Sequence, residues 1–253
     1  MKEKLEKALD LFKQKKYNEA GEIFEELAEL DSQNPNILNN LGLCYQHSNN
    51  FAKAEEQYLK ALGIDDKIPQ IYINLSDIYF QQNELLKAIE LLQNGVYVLP
   101  DNVALHHYLA RIYIEDKRYD IAIDELEKVL DLSPKNYDAN WDLGMVFFEM
   151  GDWHSAIANF ERVQEFVETN VLVYYYTAMA YEANNEINKA ISNYLKALSV
   201  NSQFHIAYKK LAVLFFARGD KEDAIEYIND YLEFDLPEEE KEQAKNLLAK
   251  FSS

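Results

Sequence analysis

The chain runs to 253 residues with 44 acidic and 25 basic side chains, a net charge of -19, seven glycines, five prolines and one cysteine. That balance argues against a sequence-independent grip on nucleic acid or anionic lipid, since both need clustered cations; it leaves open basic or apolar partners and a solvated surface that keeps an extended protein soluble. So few glycines and prolines exclude a long flexible linker, Cys44 alone cannot form an internal disulfide, and the most apolar stretch, residues 171–181, falls short of the roughly 18 residues of a membrane helix.

Residues 1–12 alternate charges and carry no apolar run before a small-residue cleavage site, so they do not read as a secretory signal and a cytoplasmic, reducing location is expected. Ala20, Ala54, Ala88, Ala122, Ala156, Ala190 and Ala224 then stand 34 residues apart, each in a stretch patterned as an amphipathic helix. A fixed 34-residue period is the signature of a helical solenoid, whose units bury their apolar faces against their neighbours. The blocks are 1–34, 35–68, 69–102, 103–136, 137–170, 171–204 and 205–238, and each holds two helical patterns.

In the first block Lys4 and Lys7 occupy positions that are apolar in most later blocks, as suits an exposed opening helix. The second begins at Pro35, continues through Leu38, Leu41 and Tyr45 at helical spacing, breaks at Ser48, Asn49 and Asn50, and resumes from Phe51 to Leu62. Further breaks fall at Asn83-Glu84, Gly151-Asp152, Asn185-Glu186 and Gly219-Asp220, where Gly or Asn accepts the left-handed conformation that ends a helix. Such short turns make the paired helices antiparallel. The fifth block ends in Glu168, Thr169 and Asn170 without a proline and has Gln164 in place of an apolar residue, so a looser junction is expected there. A last helix, 239–253, is expected to start from Asp235 as capping acid with Pro237 in the first turn, and to lay Ala244, Leu247, Leu248 and Phe251 over the last block as a cap.

Size alternates with the period. The eighth residue of each block is small (Ala8, Gly42, Ser76, Ala110, Gly144, Ala178, Ala212), the eleventh is large (Leu11, Tyr45, Tyr79, Tyr113, Phe147, Tyr181, Phe215), and Pro100 and Pro134 fall near the ends of the third and fourth blocks. In these features the chain resembles the tetratricopeptide-repeat family over residues 1–238. The resemblance implies an all-α fold: a right-handed α-solenoid of seven helix-turn-helix repeats plus a C-terminal capping helix. It also implies that the small residues mark the closest helix approach, and that the first helix of each repeat lines a concave groove.

The positions that line this groove in the family carry Ile73, Asp77, Phe80, His107, Arg111, Trp141, Met145, Phe148, Leu172, Tyr175 and Met179 here, with Tyr108, Asp142 and Tyr176 beside them. Aromatic and methionine side chains suit an amphipathic peptide or helix, and the carboxylates along the stripe would complement basic residues on it. The same residues could instead pack against the neighbouring helix, and both readings stand at this point. Asn40 and Asn74 could each hold a peptide amide. The clamp with which chaperone-binding members grip a C-terminal carboxylate is missing, because the fifth positions read Leu5, Asn39, Ile73, His107, Trp141, Tyr175 and Lys209.

Chemistry is not expected. Adjacent His106 and His107 diverge on a helix and make a poor chelate, and His47, His154 and His205 are isolated. No phosphate loop, paired cysteines or His-Glu-x-x-His pattern occurs. The sequence therefore reads as a non-enzymatic scaffold without cofactor or metal, binding an apolar or basic protein segment without nucleic acid or membrane insertion. The alternative is a self-associating protein that builds a larger assembly.

Overall fold

The computed structural model describes residues 1–252, which form fifteen helices and no strand. They divide into two compact units, Met1–Pro134 and Lys135–Ser253. The first contains α1 (Lys2–Lys13), α2 (Tyr17–Leu30), α3 (Pro35–His47), α4 (Phe51–Ile64), α5 (Pro69–Gln81), α6 (Leu85–Val98), α7 (Val103–Glu115) and α8 (Tyr119–Leu132). The second contains α9 (Tyr137–Met150), α10 (Trp153–Phe166), α11 (Val171–Ala183), α12 (Ile187–Val200), α13 (His205–Arg218), α14 (Lys221–Leu232) and α15 (Glu238–Ser252). Within each unit, successive helices pack on one another, as a solenoid of repeated helix pairs requires.

Local sequence sets the helix ends. Asn34, Asn102, Asn136 and Asn170 each precede a first helix, and their side-chain oxygens accept from the backbone N–H of Ile37, Leu105, Ala139 and Leu172. Each satisfies a donor that the helix leaves unpaired. Within the pairs one residue turns left-handed, at Lys15, Asn49, Asn83, Lys117, Gly151, Asn185 and Gly219. Asparagine and glycine were expected there; Lys15 and Lys117 were not, since a left-handed lysine is disfavoured by about 1–2 kcal/mol. Backbone bonds hold both turns: Lys16 N–H donates to the Leu11 carbonyl at 3.0 Å and Arg118 N–H to Tyr113 at 2.9 Å.

The alternation of small and large residues is the core. All seven period alanines are fully buried, and so are Phe24, Tyr58, Leu92, Leu126, Phe160, Tyr194 and Ile228, four residues further on. A Cβ at Gly42 would lie 2.6 Å from the Tyr58 ring, and one at Gly144 would lie 2.5 Å from Phe160, so only glycine admits those rings. Ala156 is fully buried within the core of the second unit. Ala156→Leu is accordingly expected to cost about 1–3 kcal/mol through overpacking, read as a lower melting temperature; a variant melting with the parent would refute this packing.

Gln164 is paired at its junction: its amide donates to Thr177 Oγ1 at 2.8 Å and to Asn193 Oδ1 at 3.3 Å, tying α10 to α11 and α12. One expectation is corrected. Asp235 does not cap the last helix, which begins only at Glu238 after Pro237, whose carbonyl accepts from Lys241 N–H. The covering stripe is as expected, with Ala244 and Phe251 buried and Leu247 and Leu248 packed against the core.

Candidate functional site: the first-helix faces

The residues that the sequence places in a groove meet different fates in the two units. On α5, Ile73 is only 5 % exposed and packs in the core, so it offers almost no surface. Asn74, beside it, is also buried: its oxygen accepts from Gln70 at 2.8 Å and its amide donates to Asn39 at 2.9 Å, which occupies both ends of the side chain that could have held a ligand amide. Asp77 is half-buried, and desolvation raises its carboxyl above the ordinary range while the Arg111 charge pulls it back. Phe80 and Arg111 are exposed, and His107 and Tyr108 are half-buried. The Arg111 guanidinium lies 6.0 Å from the centre of the Tyr108 ring, within range of a cation–π contact. This face is mixed, with a carboxylate, a guanidinium and isolated rings.

On the second unit the corresponding face is a connected aromatic surface. The Trp141 ring of α9 stands edge-on to Tyr176 of α11, with centroids 5.5 Å apart, and tilts over Phe160 at 5.4 Å. Phe148 meets the same Tyr176 at 5.9 Å, and Tyr175 meets Tyr176 at 5.5 Å. Such edge-to-face pairs contribute about 0.5–1.5 kcal/mol each beyond area burial, so the rings hold one another in place. Met145 and Met179 are half-buried against the same core, Asp142 is half-buried, and Leu172 is 43 % exposed at the edge. Burial, with Tyr176 and Glu182 adding to it, holds the Tyr175 phenol above its usual range.

Two aromatic residues outside the sequence stripe join this surface: Trp153 at 5.2 Å from Phe148, and Phe204 at 5.1 Å from Tyr175. Trp153 opens α10 and Phe204 precedes α13, so a stripe drawn along first helices passes both by; aromatics at helix starts would have been the signal. Further along, Phe216 of α13 is covered by Phe251 of α15, stacked at 4.5 Å, while Val213 remains 39 % exposed.

Among the described residues no group of three or more His, Cys, Asp or Glu side chains is placed to hold a metal ion. No described helix is long and apolar enough to cross a membrane.

The repeated antiparallel pairs, the small residues at their closest approach and the cap define a helical-repeat protein. The chain belongs to the tetratricopeptide-repeat family: models described as tetratricopeptide repeat match residues 3–67, 69–102, 113–180 and 175–238. Among solved structures it is similar to the C-terminal part of a TPR repeat-containing protein from Cytophaga hutchinsonii, at 19 % identity and a TM-score of 0.82, covering 96 % of this chain and 99 % of that one. A tetratricopeptide repeat protein from Parabacteroides merdae matches at 19 % identity and a TM-score of 0.65, over 100 % of this chain and 98 % of that one. YrrB, a TPR protein with an unusual peptide-binding site, matches at 18 % identity and a TM-score of 0.61, over 73 % and 95 % of the two chains. At these identities the likeness speaks to the fold. No curated protein sequence matches the chain.

Proposed function

We propose that the chain is a non-enzymatic interaction scaffold that captures an apolar, basic-flanked segment of another protein on its first-helix faces. Its working unit is the 34-residue block, seven of them from 1–34 to 205–238, with 239–253 closing the end. The observation that carries the reading is the connected surface of Trp141, Tyr175, Tyr176 and Phe148, locked by its own edge contacts and edged by exposed Leu172. Rigid aromatic anchors of this kind dominate binding at protein interfaces. Peptide binding by YrrB, which shares the fold, is consistent with it. The first unit, taken by itself, offers a more polar face of Phe80, His107, Tyr108 and Arg111 with Asp77, Ile73 acting only from beneath.

Self-association through one molecule's last helix on another's face is the less favoured reading, because α15 already seats Phe251 on Phe216 of its own chain. The test is affinity capture from the source organism's soluble extract with the parent, the Trp141→Ala/Tyr175→Ala/Tyr176→Ala variant, and Leu172→Asp. The last puts a charge on the face without touching the core. A captured protein should be lost by more than about tenfold in both variants, as removal of aromatic hot spots implies. Capture that survives in both overturns the reading.

A further inference from the structure

The first unit carries a cavity of about 720 Å³ away from the first-helix face. Its floor is α3, with Leu38, Leu41 and Tyr45, and its walls are the second helices α2 and α4. One feature of the repeat keeps it open. Leu38 stands where the next block has Tyr72, a ring buried against α6 at Gly95, so the floor here is a side chain smaller. Gly63, also on the lining, stands where the next block has Tyr97, whose ring is 86 % exposed.

That glycine has no packing reason. A Cβ at Gly42, Gly95 or Gly144 would press on an aromatic ring at 3.0 Å or less, whereas one at Gly63 meets nothing within 4 Å. Glycine inside a helix costs backbone entropy relative to alanine, and at Gly63 no neighbouring side chain requires it.

The rim is acidic. Glu25 accepts a hydrogen bond from the Tyr45 hydroxyl, and Glu29 has no hydrogen-bond or ion-pair partner among the described residues. The one cation on the lining, Lys60, is already neutralised by Glu56 at 2.7 Å. An apolar lining of half-buried Ala28, Tyr45 and Ile64 over buried Leu38 and Leu41, edged by the carboxylates of Glu25 and Glu29, matches a side chain with an apolar stem and a charged head.

We propose that this cavity docks an arginine or lysine side chain carried by an apolar segment of a partner protein, at a site separate from the aromatic surface of the second unit. The charge balance of -19 favours the same class of partner.

The test uses the full chain and two fluorescein-labelled, end-capped peptides, one alternating leucine and arginine, the other with neutral citrulline in place of each arginine, titrated by fluorescence anisotropy. The parent should prefer the arginine peptide. Glu29→Gln should weaken it by about tenfold, the worth of one charge-assisted hydrogen bond, and Gly63→Trp, which sets a bulky ring on the lining, should weaken it as well. Gly63→Ala, equally helical but small, should bind as the parent does. Indifference to citrulline, or parental affinity in Gly63→Trp and Glu29→Gln, overturns the proposal. Binding lost in the Trp141/Tyr175/Tyr176 alanine variant but kept in Gly63→Trp would place the peptide on the aromatic surface, sinking this site and sparing the other.

Discussion

Phe160→Ala should destabilise the second unit by about 3–5 kcal/mol, the cost of removing a buried ring from a core that relaxes only partly. Phe160 is fully buried on α10, and Gly144 of α9 exists in that form to admit it, with a ring atom 2.5 Å from where a Cβ would stand. The effect reaches the proposed site, because the rings of Trp141 and Tyr176 lie 5.4 Å and 6.2 Å from the Phe160 ring. Loss of that support should free Trp141. Both tryptophans, Trp141 and Trp153, belong to this unit, so tryptophan fluorescence in urea reports the event directly. A shift of midpoint below about 1 kcal/mol would mean that the ring is not the keystone the packing makes it.

The second large effect is expected at His106, which sequence reading weighs only as a metal ligand. Its ring is buried on α7, with Nδ1 2.6 Å from Glu125 Oε2 on α8 and Nε2 2.8 Å from the Pro100 carbonyl. A carbonyl only accepts, so Nε2 carries a hydrogen, and the short Nδ1 contact needs one further proton between ring and carboxyl. The other Glu125 oxygen receives Lys128 Nζ at 2.8 Å. His106→Leu strands a carboxylate that is 8 % exposed and empties the bond to Pro100. The expected loss is about 3 kcal/mol, softened by Lys128. His106→Leu/Glu125→Leu should recover most of it, since an apolar pair of similar size replaces a buried hydrogen-bonded one at little cost. Circular dichroism in urea would decide; a double variant no better than the single one would contradict the role given to the pair.

Much of the fold is legible because one period governs it. An alanine at the twentieth position of every block and a small residue at the eighth locate the helix contacts from residue size alone, and Ala20 through Ala224 are indeed fully buried. What the period cannot convey is how far each helix rotates against the next. Ile73 and Trp141 hold the same place in their blocks, yet Ile73 sinks into the core while Trp141 stays half-buried among aromatic edges. Position alone therefore separates core from surface poorly along the first helices.

Side-chain pairings across helices are also invisible to a pattern of size. Tyr181 donates to Glu161 and Tyr45 to Glu25, each reaching back 20 residues to the preceding second helix, and in each case burial foremost and the carboxylate next hold the phenol above its usual range. Gln93 donates to the Tyr113 hydroxyl over the same interval. The large eleventh residue is legible as filler, but its hydroxyl is a tether between neighbouring helices. Lys15 and Lys117 teach the same point at the turns, where a backbone hydrogen bond outweighs a residue's own preference.

The central claim, that the aromatic surface of the second unit seats a partner protein, is tested most directly by site-specific photocrosslinking in the source cells. A benzophenone amino acid placed at Leu172, on the edge of that surface, should crosslink to one discrete partner, and one placed at Leu195 on α12, comparably exposed at 39 % against 43 %, should not. Equal crosslinking from both positions, or a discrete partner from Leu195 alone, would contradict the account.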